Sequence, residues 1–227
     1  MSEIKLKQIK SFVLRQGKIT LGQSKAIEEL MPQYGIEYNP TLIDLNNHFG
    51  RNNPKIIEIG FGMGNATWQI AHNNPDKDYL GIEVHSPGVG SLLLQIKQNN
   101  IQNIRIIQND AIEVLNNMIE NNCISGFHIY FPDPWPKKRH HKRRIIQHEF
   151  IEILIQKLIV NGYIHLATDW EEYALWMLEI LNQNKKLINC AQDNTYITRP
   201  DFRPLTKFEQ RGINLGHQVW DLMFRKI

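Results

Sequence analysis

The sequence predicts an α/β fold, a mostly parallel sheet with helices on both faces, on three observations. From residue 54 short β-rich runs alternate with longer amphipathic ones. Five acids stand at the close of, or just after, five successive strand candidates. At 227 residues, 42% hydrophobic and 22% charged, the chain can bury one substantial core and is too apolar for disorder.

The strand candidates cover residues 55–59, 78–84, 104–108, 126–131 and 162–167, with helices expected near 65–73, 87–99, 111–120, 145–159 and 171–183. The first strand closes in Glu58-Ile59-Gly60-Phe61-Gly62-Met63-Gly64, a glycine-rich turn into a helix. The fourth helix has the clearest period, with Ile146, Phe150, Ile153, Leu154 and Leu158 on one face and Glu149, Glu152, Gln156 and Lys157 on the other. Asn161-Gly162 reads as its C-cap and the turn into the next strand. Residues 188–191 and 218–224 read as two more strands, joined by the irregular TRPDFRPLTKFEQRGINLGH, and loops of that length are usually functional. Residues 1–50 read as a basic N-terminal extension and residues 51–227 as the main domain.

The net charge of +3 is unevenly distributed. Residues 137–144, KKRHHKRR, carry six Lys/Arg and no acid, and residues 1–18 carry five against Glu3 alone. Removing both leaves 15 basic against 22 acidic residues, a body of −7. Two basic segments on an acidic body point to a polyanionic partner engaged at particular places. No apolar run approaches the roughly 18 to 20 residues of a bilayer span, so no membrane association is expected. The N-terminus lacks an apolar block with a small-residue cleavage site, and Cys123 and Cys190 read as free thiols, which points to the cytoplasm. His140, His141 and His148 lack the mixed ligand set of a metal site, so no metal is expected. Nothing in the sequence calls for an obligatory protein partner.

Glycines at a strand-to-helix turn also occur in dinucleotide sites. Here, however, Glu58 sits at the mouth of the turn, where it would oppose a pyrophosphate resting on the helix N-terminus. A cationic, phosphate-free nucleoside fits better, and S-adenosylmethionine is one. Gly60 and Gly62 let it approach the backbone, Glu83 stands where an acid takes ribose hydroxyls, and Asp110 where a side chain reaches the adenine amine. Asp133 and Asp169 follow the fourth and fifth strands. The competing reading makes each acid a helix N-cap; it could serve for Asp110 but leaves Glu58, seven residues before its helix, unexplained.

Residues 131–144, FPDPWPKKRHHKRR, present Asp133 and Trp135 on a proline-stiffened loop followed at once by the basic run. Positive charge at the start of a helix opposes its macrodipole, so phosphate binding is the economical explanation. With SFVLRQGKIT, EIGFGMG, GIEVHSPGVG, ATDWEEYA, RPLTKFEQRG and LGHQVWDLMF in order, the chain resembles the bacterial tRNA (guanine-N7-)-methyltransferases over almost its whole length. The resemblance implies a Rossmann-like S-adenosylmethionine methyltransferase fold and methylation of the variable-loop guanosine at tRNA position 46. It implies that Glu58, Glu83, Asp110 and Asp133 bind the cofactor and that Asp133 is catalytic. It further implies that Lys137, Asp169, Thr206, Lys207, Phe208 and Glu209 contact the substrate, and that Arg139, His140, His141, Lys142, Arg143 and Arg144 touch the RNA.

Guanine N7 carries a free lone pair and no proton, so its methylation needs positioning and charge stabilisation rather than a general base. Asp133 is assigned the stabilising role, with Asp169 or Glu209 accepting the guanine N1 and N2 hydrogens. Either Trp135 or Phe208 is expected to stack on the extruded base. Trp68, Trp170, Trp176 and Trp220 read as core or structural. Two other readings remain: an amino-group methyltransferase, since D-P-W-P distantly resembles the D-P-P-Y turn of adenine-N6 enzymes, and an RNA-binding module without activity.

Overall fold

A computed structural model of the chain describes residues 10–13, 17–214 and 216–227. Its order of elements is α1 (Leu21–Tyr34), α2 (Leu45–Phe49), β1 (Lys55–Ile59), α3 (Asn65–Asn73), β2 (Asp78–Ile82), α4 (Ser86–Gln98), β3 (Ile104–Ile107), α5 (Ala111–Asn117) and β4 (Ile124–Tyr130). A 3-10 helix (Lys138–Arg143) follows, then α6 (His148–Lys157), β5 (Leu158–Thr168), α7 (Glu171–Asn182), β6 (Leu187–Asn189), α8 (Lys207–Asn214) and β7 (Trp220–Lys226). The seven strands lie in the order β3-β2-β1-β4-β5-β7-β6. The first five pair in parallel, while β7 runs antiparallel to both β5 and β6.

Alternation along the strands assigns the two faces. Ile57, Ile59, Phe127, Ile129, Ile164, Leu166, Leu222 and Phe224 point to one face, where they pack with residues of α5, α6 and α7. Ile56, Tyr79, Ile104 and Ile106 point to the other and meet α1, α3 and α4. Over β4 and β5 this second face is polar and aromatic, carrying His128, Tyr130, Tyr163 and His165. The loop before α8 covers it: Phe202 stacks on His128 at 5.7 Å and meets His165 edge-on at 5.5 Å.

The described part of the N-terminal extension is packed into the fold. A capping box starts α1, with Gln23 N donating to Thr20 Oγ1 and Thr20 N to Gln23 Oε1. Tyr34, Ile36 and Leu45 are buried, and Ile36 N donates to Ile106 O beside β3. Lys5, Lys7 and Arg15 lie outside the described residues.

Two boundaries differ from expectation. Helix α6 begins at His148 rather than near 145 because Ile146 is already engaged, its N donating to Tyr173 Oη and its carbonyl accepting from Trp176 Nε1. It ends at Lys157, with no cap at Asn161. Leu158 pairs with Ile124, residues 159–162 bulge out with Asn161 at φ 66°, and pairing resumes at Tyr163 opposite Gly126. The helix-end carbonyls of Ile155 and Leu158 accept instead from Lys226 Nζ. Among the described residues no helix is long and apolar enough to cross a membrane.

Candidate active site

Strand order reverses between β1 and β4, and a crevice opens there above the carboxyl ends of the parallel strands. Its two adjoining halves share Gly60, Tyr130 and Phe131. One, of about 210 Å³, is walled by Glu83, Asp110, Asp133, Ser11 and Phe12. The other, of about 350 Å³, has Glu58, Gly62, Arg203 and Thr206 in its wall.

The turn after β1 holds Gly60 and Gly62 at φ 72° and 55°, a region costly for other residues. A Cβ on Gly88 would lie 2.2 Å from Gly62 O, so the first turn of α4 presses against this loop. Glu83 pins the arrangement: its Oε2 accepts from Gly62 N at 2.9 Å, and its Oε1 from Val84 N at 2.7 Å and His85 N at 3.0 Å. Of about four lone-pair sites on a carboxylate, roughly one is left for a ligand. Glu58 is 3% exposed. Burial above all pushes its carboxyl up to about 7; the neighbouring Thr67 opposes this, and the charge of Glu83 adds a smaller upward push. Neither Glu58 Oε2 nor the Thr67 hydroxyl makes a hydrogen bond of normal geometry. A buried carboxylate oxygen in a cleft wall with no partner requires a cation or donor.

Asp110 behaves as the competing reading allows, its Oδ1 capping α5 through Ile112 N at 3.0 Å, yet it also lines the cleft. Asp133 is exposed at the cleft mouth. The loop carrying it holds two non-glycine residues at positive φ, Phe131 at 51° and Trp135 at 46°, a concentration of backbone strain typical of functional turns. Trp135 is already engaged: Nε1 donates to Ser11 O at 3.1 Å, the Arg143 guanidinium lies 4.9 Å from the ring centre, and His140 meets it edge-on. The Phe208 and Lys207 side chains lie outside the described residues. Trp170, read from the sequence as core or structural, is 40% exposed beside Asp169, just past β5. Asp169 and Lys137 line neither half of the cleft.

The basic run forms the 3-10 helix, with Lys137, Lys138, Arg139 and Lys142 exposed and His140, His141 and Arg143 half-buried. Arg144 does not belong to this surface. It is 1% exposed, donates from Nε to Pro134 O at 2.8 Å and from Nη2 to Glu172 Oε1 at 3.3 Å, and lies against the rings of Tyr173 and Trp176. Its charge anchors the proline loop from below, and α7 supplies the carboxylate and both rings.

Glu209 also departs from expectation. It is 3% exposed and both of its oxygens are bound by Arg203, Oε2 from Nη1 at 2.7 Å and Oε1 from Nη2 at 2.8 Å. Both carboxylate oxygens are thus held by a single guanidinium. Thr206 caps α8, its Oγ1 accepting from Glu209 N at 3.1 Å. Thr-Lys-Phe-Glu is a capping-box spacing, but the carboxylate that would complete the box turns to Arg203. Sequence reading missed Arg203, Tyr130 and Ser11; only the arginine-rich irregularity of the 198–217 loop hinted at the first. Among the described residues no cluster of three His, Cys, Asp or Glu side chains is placed to hold a metal ion.

A family model described as "Putative methyltransferase" matches residues 52–222. A tRNA (guanine-N(7)-)-methyltransferase of Methylobacillus flagellatus is 55% identical over 225 residues, 99% of this chain and 94% of the relative. The chain belongs to this family. The similarly named protein of Chromobacterium violaceum is 57% identical over 218 residues, 96% of each chain. Fold comparison agrees with membership in the tRNA (guanine-N7-)-methyltransferase family at the level of architecture. A 16S rRNA methyltransferase, KamB, superposes with TM-score 0.59 at 9% identity, over 82% of this chain and 95% of that one. An rRNA methylase of Streptococcus thermophilus gives 0.53 at 13% identity, over 77% and 87%. The architecture of the sheet and its helices is thus the Rossmann-like one of these solved methyltransferases.

Proposed function

We propose that the protein transfers a methyl group from S-adenosylmethionine to N7 of a guanosine in tRNA, and that this guanosine is the one at position 46 of the variable loop. The observation that carries the cofactor is the unpartnered, buried carboxylate oxygen of Glu58 at the switch point, with the buried Glu83 carboxylate near it, beside a glycine turn too acidic for a pyrophosphate. The tRNA substrate is supported by close, full-length likeness to proteins named for that activity.

When bound, S-adenosylmethionine supplies an electrophilic methyl group on a sulfonium. Glu58 would neutralise the cofactor's cationic end, Glu83 and Asp110 would receive its ribose and adenine, and Gly60 and Gly62 leave room for it. The guanine needs no deprotonation, so the chain's task is to hold N7 in line and to stabilise the positive charge that reaches the purine. Asp133 is suited to that stabilisation by its exposure at the cleft mouth. Asp169 remains as acceptor for the guanine edge, and Lys137, Arg139, Lys142 and Arg143 form the phosphate-binding rim. The reading includes action in the cytoplasm and by a single chain without an obligatory protein partner.

The test is incubation of the purified chain alone with unmodified tRNA and labelled S-adenosylmethionine, followed by mapping of the product. Label on guanine N7 at position 46 is expected. Label on an adenine amine would favour the amino-group reading, and no cofactor binding by calorimetry would leave an inactive RNA-binding module.

A further inference from the structure

The most heavily bonded buried side chain near the cleft is Arg203, which none of the assigned roles uses. Its guanidinium is 1% exposed and forms two forked ion pairs. One is to Glu209 at 2.7 and 2.8 Å; the other runs from Nε to Asp221 Oδ1 at 2.8 Å and from Nη2 to Asp221 Oδ2 at 2.7 Å. Glu209 is in α8 and Asp221 in β7, so one residue of the preceding loop ties that helix to the sheet. Asp221 Oδ1 also accepts from His165 Nε2 at 2.8 Å, which leaves His165 Nδ1 to accept from the Tyr130 hydroxyl at 3.0 Å. Burial opposes ionisation of Asp221, but the hydrogen bonds from His165 and Arg203 outweigh it and hold the carboxyl below its usual range. Tyr130 is common to both halves of the cleft, and Arg203 and Thr206 line one of them. The Arg203 guanidinium lies 5.8 Å from the ring centres of both Tyr130 and Phe131.

We infer that Arg203 is a positioning residue of the methyl-transfer site, fixing Thr206 and the start of α8 against the cleft floor, and that Glu209 acts through Arg203 rather than on the base. The inference rests on the proposed function. A buried ion triad is a poor device for stability alone, since apolar residues of similar volume usually serve as well or better. It is suited to locking one geometry, because the planar fork of arginine fixes both carboxylates at once and lysine cannot reproduce it.

The test is a double-mutant cycle of Arg203→Lys and Glu209→Gln in the full chain, read by kcat and KM with tRNA, cofactor affinity by calorimetry, and thermal melting. The expected result is a fall in kcat of roughly tenfold to a hundredfold in each single variant, with cofactor affinity within about threefold of the parent. The double variant should lose little beyond either single one, since both break the same unit. Losses that multiply would put Glu209 on the base independently of Arg203 and overturn the inference. Unchanged kcat in folded Arg203→Lys would do so as well, as would loss of cofactor affinity in step with melting temperature. If Arg203→Lys does not fold, the cycle is run with Asp221→Asn and Glu209→Gln, whose carboxylates are linked through Arg203; additive losses there overturn the coupling. A parent chain that makes no 7-methylguanosine would instead refute the proposed function, a distinct outcome.

Discussion

Glu58 shows how much one residue's environment governs. Raised from 4.5 to about 7, chiefly by burial, its carboxyl binds a proton more tightly in the folded chain than in the unfolded one. Stability is therefore predicted to fall as pH rises from about 4.5 to about 7 and to level off above that. Glu58→Gln should stabilise the cofactor-free protein at pH 8 by up to about 3 kcal/mol and by almost nothing at pH 4.5 in urea melts. A difference independent of pH would remove the buried titration. Affinity for S-adenosylmethionine should tighten as pH rises through about 7, and the Gln variant should bind weakly throughout. Asp133→Ala, an exposed change, should leave the fold intact and cut kcat about a hundredfold with tRNA affinity within about twofold; a near-parental rate would remove Asp133 from the chemistry. Glu58 was legible in the sequence because its place in the turn made burial without a partner implausible. The pairing of Glu209 was not, because a carboxylate six residues from one arginine gives no sign that a strand eighteen residues from that arginine completes the contact.

At the scale of elements, the basic run divides between two tasks that its composition treats as one. Lys142 and Arg139 on the 3-10 helix are exposed, whereas Arg144, the residue that caps it, is buried beneath the proline loop. Lys142→Ala is expected to flatten the dependence of log affinity for tRNA on log salt by roughly 0.7 to 0.9 per lost phosphate contact, with unchanged melting. Arg144→Ala should do the reverse, lowering stability by about 2 to 3 kcal/mol through lost charged hydrogen bonds and ring stacking while the salt slope of the folded protein holds. Equal slopes for both variants and the parent would make the run a solvated face. Periodicity located α6, but its first turn and its end depend on Tyr173, Trp176 and Lys226, partners supplied by other elements.

At the scale of the whole molecule, the chain described as an extension closes one layer of the fold. Ile36 is 5% exposed and its N–H pairs with β3, so Ile36→Ala should cost about 2 to 5 kcal/mol in denaturant unfolding, an effect a detached arm would not show. Alternating runs, the glycine turn and acids at the strand ends determined the parallel sheet, the edge at which its crevice opens and the class of cofactor, because backbone period and turn chemistry are local properties. The separation of a −7 body from two basic segments was likewise countable along the chain. Only the tertiary structure decided that a loop rather than a helix covers the polar half of the sheet, that Arg144 and Glu209 spend their charges inside, and that Arg203 joins α8 to β7. Those outcomes depend on which charges lose their water together, and that is settled by packing between residues far apart in sequence.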